Sequence, residues 1–278
     1  FTNLNSYLLR WRQCSDKGVL REGELNVDCA PNSKVTVDLE LNRITSTEWY
    51  LELEFVTKEE TAWCGQGHIV AEEQFVVNEF ENTYDELETG DELSVSDTYG
   101  SLRIISQDIN IRFERRERNQ LYSIKIGEEE LLAAPVRLNF WRALTDNDRG
   151  NRAGSRLGCW RDAGNAPGIY NNTKFSIEGY KILENGKKVI VTCGAVICTQ
   201  PESKATMIYT ITSNGIEVDM QFRPDEALPE VPEVSMLFEL PGDFENVTYL
   251  GAGPFENYID RNNAAKIGLY STTVDDMY

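Results

Sequence analysis

Apolar residues recur at every second position through much of this chain, and that regularity limits what it can fold into. Val35, Val37, Leu39 and Leu41 form one apolar set, with Thr36, Asp38 and Glu40 between them. Trp49, Leu51, Leu53 and Phe55 form another, alternating with Tyr50, Glu52 and Glu54. Side chains alternate across a strand but return to one helix face only every 3.6 residues, so both runs predict half-buried strands. The same rhythm returns at Ile109, Ile111 and Phe113, at Tyr122, Ile124 and Ile126, and at Val189, Val191 and Cys193. Tyr209 and Ile211 lead into Ser213-Asn214-Gly215, after which Ile216, Val218, Met220 and Phe222 alternate again. That arrangement predicts a hairpin, with Asn-Gly expected to supply positive φ. Only residues 152–163 and 262–269 look helical. The expected fold class is all-β.

Turn residues and charge divide the chain. In residues 1–77, short strands are punctuated by turns at 16–18 and 30–33, the pattern of an immunoglobulin-like β-sandwich. Residues 78–97 then carry eight acids and no Lys or Arg. Like charges keep such a stretch extended and solvated, so 78–100 reads as an acidic linker. A docking strip for a basic partner is the sharper alternative. Strands resume in 101–278, which reads as a larger β-sandwich with long loops.

The chain has 278 residues, enough for one large or two ordinary domains. Its 46 acidic and 27 basic side chains give a net charge of −19, which repels nucleic-acid phosphates and anionic membranes. Neither is expected as a partner. No run approaches the roughly 18 apolar residues of a membrane span. The chain starts at Phe1, without Met and without the basic-then-apolar order of a signal peptide, and reads as the middle of something longer. Its six cysteines show no CxxC spacing and alternate with apolar strand residues, as buried, reduced thiols of an intracellular protein do.

Catalytic chemistry has little to work with. Ser-His-Asp, Cys-His and His-ligated metal sites need a histidine, and the chain has one, His68. Beside Gly67 and a strand-like run, it reads as a structural or surface residue. No residue is assigned a catalytic role, and none a metal. The densest oxygen cluster is Asp146, Asn147 and Asp148. Gly150 falls where a calcium loop needs its third ligand, so that chemistry is not expected. Two readings stay open. One is an Asx-turn, with Gly150 in a backbone conformation barred to other residues and Arg142 or Arg149 paired with a carboxylate. The other is a rim loop in which Asp146, Asn147, Asp148 and Gly150 meet sugar hydroxyls. Residues 251–254 lack the third Gly of a dinucleotide loop, and Pro254 removes a donor. There Glu256, Asn257, Tyr258, Asp260 and Arg261 read as a turn lock. A retaining glycosidase needs two acids about 5–5.5 Å apart, yet no acid here sits in the context of a barrel-strand end.

Three motifs carry a resemblance. Phe140-Trp141-Arg142-Ala143 with Thr145-Asp146-Asn147-Asp148 and Gly150 resembles the RAPxDNDxG signature of family 2 β-galactosidases, Leu144 replacing the usual Pro. Residues 251–261 resemble their GxGPxENYxDR signature, and Lys266 to Leu269 and Asp275 to Tyr278 continue it. Ala62-Trp63 with Gly67-His68-Ile69 resembles their TAWxxxGHxxAxxQ segment. The resemblance covers essentially the whole chain in one order. It implies an immunoglobulin-like domain followed by part of a galactose-mutarotase-like β-supersandwich, within a cytoplasmic, often multimeric enzyme. It also implies retaining hydrolysis of terminal β-D-galactosides such as lactose. The catalytic Glu pair and the Mg²⁺ and Na⁺ ligands would lie in a barrel preceding Phe1. Residues 145–150 would begin a loop near the active-site mouth. Leu144 loosens that turn, because Pro fixes φ and Leu does not. This span would then buttress the catalytic barrel of the same chain, and be inactive alone. The rival readings are an autonomous carbohydrate-binding module, stacking sugar on Trp141 or Trp160, and a purely structural assembly segment.

Overall fold

In the computed structural model, which describes residues 2–44, 48–78, 87–115, 120–164 and 173–277, nearly all regular structure is antiparallel sheet. By compactness the chain divides into Phe1–Thr83 with Glu245–Tyr278, and Tyr84–Phe244. Residues 79–86 of the acidic stretch lie outside the described residues.

The first unit is built on β1 (Tyr7–Ser15), β2 (Gly18–Asn26), β3 (Trp49–Thr57) and β4 (Ile69–Asn78), in the order β2-β1-β3-β4. Gly18 closes the β1–β2 hairpin at φ +91, a conformation that a Cβ penalises. Leu9, Trp11 and Gln13 are buried on one sheet face. The intervening residues place Arg10 and Arg12 on the other face, across from Glu24 and Glu22 on β2 and from Glu54 and Glu52 on β3. The run 35–41 does not form the expected strand. Val35 and Val37 are exposed, and the segment is instead anchored at Asn42, whose main chain exchanges two 2.8 Å hydrogen bonds with the Gln13 amide. Alternation makes a segment strand-like, but a strand also needs a neighbour to take its backbone groups. A hairpin of β16 (Asn246–Gly253) and β17 (Lys266–Thr273) completes the unit. The helical look of 262–269 survives only as a short 3₁₀ turn, Asn262–Ala264.

The second unit is a sandwich of two meanders. One is β5 (Ser94–Asp97), β6 (Ser101–Ile105), β7 (Ile109–Glu114), β8 (Leu121–Ile126) and β9 (Glu129–Glu130). The other is β11 (Lys174–Leu183), β12 (Lys188–Ile197), β13 (Ser203–Thr212) and β14 (Gly215–Arg223). Leu102, Ile104, Ile111 and Phe113 from the first share one core with Val189, Val191, Met207 and Ile211 from the second. Across that core the rings of Phe113 and Tyr209 meet edge to face at 5.1 Å. The surrounding apolar atoms push the Tyr209 hydroxyl pKa up, and Cys193, also buried there, to about 12. β5 starts inside the stretch expected to be linker. The predicted hairpin is β13–β14, closed at Thr212↔Gly215, but neither Asn214 nor Gly215 takes a positive φ. Gly215 serves packing instead, since a Cβ there would stand 3.2 Å from Leu87. All six cysteines are free thiols, but only Cys14, Cys29 and Cys193 are buried, and Cys198 is exposed.

A separate two-stranded sheet pairs β10 (Arg137–Asn139) with β15 (Ser235–Leu237), and three short helices follow β10. These are α1 (Asp146–Gly150), α2 (Ala153–Arg156) and α3 (Gly158–Gly164); α2 and α3 fall where helical residues were expected, whereas α1 forms where a turn or loop was expected.

Candidate functional site

The turn running from β10 into α1 is held by a chain of side-chain and main-chain hydrogen bonds. Phe140 is fully buried, its ring 4.9 Å from Phe222 and 5.8 Å from Trp160. Trp160, equally buried, donates its indole N–H to the Pro229 carbonyl at 3.0 Å. The next residue, Trp141, is half-buried, with the Arg161 guanidinium 5.9 Å from its ring centre. Arg142 then reaches forward to Asp148, with Nη1–Oδ2 and Nη2–Oδ1 distances of 2.6 and 3.3 Å.

Asp148 also accepts from the Thr145 N–H at 2.9 Å and from the Thr145 hydroxyl at 3.0 Å, while Thr145 Oγ1 accepts from the Asp148 N–H at 3.2 Å. This is a capping box at the start of α1, with Asp in the position usually held by Glu. The Arg142 guanidinium, helped by Thr145, pulls the Asp148 pKa down to about 2. Asp148 is therefore an anion committed to the turn. Asp146, by contrast, is 97% exposed and pairs with the exposed Arg149 at 3.0 Å. Asn147 is half-buried. Gly150 ends α1 without a positive φ; the left-handed residue is Arg152, at φ 62. The expectation for Gly150 is thereby corrected: a helix end takes the sharp turn two residues later. Leu144, in place of Pro, packs against the core and lies 3.3 Å from where a Gly154 Cβ would stand.

Residues 254–261 form an exposed loop between β16 and β17. Glu256 and Arg261 pair at 2.8 Å, and the Arg261 N–H donates to the Tyr258 carbonyl at 2.7 Å. Asn257 and Asp260 are exposed. A Cβ on Gly253 would stand 2.7 Å from the Tyr249 hydroxyl, which explains why glycine precedes Pro254.

In the third motif, exposed His68 packs edge-on to Trp63 at 5.3 Å, and Gln74 bonds the backbone of Ile267. Sequence reasoning missed Gln74, Lys266, Asn139, Glu233 and Ser235. Their partners are distant in sequence, and no local pattern marks them, although Gln74 is the final residue of the TAWxxxGHxxAxxQ segment. The charged sheet face of the first unit holds a cavity of about 440 Å³ walled by Arg10, Arg12, Glu22, Glu24, Glu52 and Glu54. Both arginines there are already bound: Arg10 to Glu24 at 2.9 Å, and Arg12 to Glu52 and Glu54 at 2.9 and 2.6 Å. Among the described residues no three His, Cys, Asp or Glu side chains converge as metal ligands. No helix among them is long and apolar enough to cross a membrane.

Residues 105–278 match the family described as beta galactosidase small chain, and residues 1–78 match beta-galactosidase domain 4. The chain belongs to the β-galactosidase small-chain family. It is similar to the β-galactosidase of Priestia megaterium, 28% identical over 99% of this chain and 26% of that protein. The Clostridium acetobutylicum β-galactosidase is 26% identical over 98% of this chain and 30% of its own length. That of Streptococcus thermophilus is 28% identical over the whole chain and 26% of its own length. The chain thus spans between a quarter and a third of the length of these relatives. The small-chain match continues through β16 and β17, whereas packing groups those strands with the domain 4 segment.

Proposed function

We propose that this chain is the non-catalytic C-terminal portion of a β-galactosidase that hydrolyses terminal β-D-galactosides, such as lactose, with retention. The observation that carries this reading is the unbroken order of a domain 4 segment and a small-chain segment, shared with proteins named β-galactosidase. In it, the inherited domains are 1–77 and 101–278, joined by the acidic 78–100. The catalytic Glu pair, with Mg²⁺ and Na⁺, belongs to a barrel elsewhere in the whole cytoplasmic, homo-oligomeric enzyme. This span buttresses that barrel. The turn from Arg142 to Gly150 forms part of the sugar entrance, with Asp146 and Asn147 offered to the sugar and Asp148 holding the turn. The exposure of Asp146 beside the fully bonded Asp148 supports that division of labour.

Two measurements test the proposal. The isolated chain should not hydrolyse a chromogenic β-galactoside, while the full-length polypeptide should; turnover by the isolated chain refutes the non-catalytic role. Replacing Asp146 and Asn147 with Ala in the full-length polypeptide should raise KM and leave kcat nearly unchanged, the signature of lost ground-state binding. An unchanged KM removes the rim role.

A further inference from the structure

Asn139, the last residue of β10, is buried and makes a dense set of hydrogen bonds. Its Nδ2 lies 2.8 Å from the Trp141 carbonyl, 3.0 Å from Glu233 Oε1 and 3.1 Å from Ser235 Oγ. Its Oδ1 accepts from the Trp141 N–H at 3.2 Å. Ser235, its cross-strand partner, donates to Glu233 at 2.6 Å. These contacts fix which way the amide faces. Turned over, it would set its oxygen against the Glu233 carboxylate and its N–H groups against the Trp141 N–H.

We propose that Asn139 is a positioning residue for the Arg142–Gly150 turn, its amide oriented by Glu233 and Ser235. The inference rests on reading that turn as the rim of a galactoside site. Among the described residues, Asn139 is the hydrogen-bond partner of both main-chain polar groups of Trp141. It therefore ends the β10–β15 ladder and sets the direction in which the chain leaves it. Phe140 is held by the aromatic core and the Trp141 backbone by Asn139, so Arg142 starts from a fixed point. From there Arg142 captures Asp148, and with it the first turn of α1. Remove the Asn139 amide and the core still holds Phe140, but the Trp141 backbone from which Arg142 departs loses both of its hydrogen bonds to that side chain.

The test uses the full-length polypeptide with a chromogenic β-galactoside, and the variants Asn139→Asp, Ser235→Ala and Asp148→Asn. Asn139→Asp keeps the shape but loses the donors facing Glu233. At pH 7.5 it should raise KM about tenfold while kcat changes less than about threefold, as expected for the loss of a charge-assisted hydrogen bond that holds a binding element. The nearby Glu233 carboxylate raises the pKa of the introduced carboxyl, so lowering the pH restores a donor. KM relative to the parent should therefore fall back towards one as pH drops to about 5.5. A purely structural role would instead lower the thermal unfolding midpoint of Asn139→Asp and leave KM at the parental value.

An Asn139→Asp enzyme with parental KM, alongside an Asp148→Asn enzyme with raised KM, overturns this inference and leaves the rim reading standing. Parental KM in both variants removes the rim reading, and this inference with it. A fall in kcat alone, without pH rescue, also overturns it. Should Asn139→Asp fail to fold by circular dichroism, Ser235→Ala decides. It removes one hydroxyl and should raise KM about threefold; an unchanged KM overturns the proposal.

Discussion

The side-chain amide of Gln74 pairs with the backbone of Ile267 as a neighbouring strand would. It donates to the Ile267 carbonyl at 2.8 Å and accepts from the Ile267 N–H at 2.8 Å. Its second amide hydrogen reaches Glu52 at 3.0 Å. Next to it, Lys266 bonds Glu72 and lies 3.9 Å from Glu54, which Arg12 also binds. One glutamine thus joins the end of the TAWxxxGHxxAxxQ segment to the strand that follows the GxGPxENYxDR loop. These contacts, made across 193 residues of sequence, tie the β16–β17 hairpin to the first unit.

Gln74→Ala should destabilise the first unit by about 1–3 kcal/mol, from three lost hydrogen bonds and two backbone groups left to find water. Gln74→Glu should cost more, because it loses the donor and adds a carboxylate beside Glu52. Urea unfolding of the two variants checks the order; equal stability of Gln74→Glu and the parent would contradict the pairing.

The Arg142–Asp148 pair predicts a defined acid sensitivity. Asp148 has its pKa lowered from 3.8 to about 2, so the folded form resists protonation more than the unfolded one. The stabilisation is complete above the unfolded value and is lost as pH falls through the folded one, between about 4 and 2. Carboxyl NMR should show Asp148 titrating near 2, and Arg142→Ala should move that midpoint up towards the usual Asp range.

Glycine at 23 is a steric requirement of Trp11. A Cβ there would stand 2.7 Å from the indole ring, which is nearly fully buried. Gly23→Ala should therefore cost about 1–3 kcal/mol as an overpacked substitution, measured by thermal unfolding.

Trp160 is a core residue and offers no face to a sugar. Trp160→Ala should destabilise the second unit by about 3–5 kcal/mol. Calorimetry of the parent chain against millimolar galactose should give no heat attributable to this ring. Saturable binding abolished by a fold-preserving Trp160→Phe change would contradict this assignment.

Period-two alternation predicted β3, β7, β8, β12 and the β13–β14 hairpin as strands; in β7 and β12 the apolar set is the buried face, whereas in β8 Leu121 and Ser123 are buried and Tyr122 and Ile126 are exposed. It misread 35–41, where the same rhythm occurs without a ladder. At the turn, sequence offered Arg142 or Arg149 as partner for a carboxylate but could not choose between them or among the carboxylates. The capping box made the choice, since Thr145 turns Asp148, and not Asp146, back towards Arg142. Gly150 was misassigned because glycine permits a left-handed conformation without requiring it, and here Arg152 takes it.

The sequence by itself determined the strand-dominated fold, the acidic surface, the two segments and the family motifs, all of which reside in neighbouring residues or in composition. Tertiary structure decided which extended segments became strands and which polar side chains became joints. Gln74 finds its partner 193 residues away, and Asn139 meets Glu233 94 residues away. A hydrogen bond acts over about 3 Å, so only the folded chain brings such partners within reach.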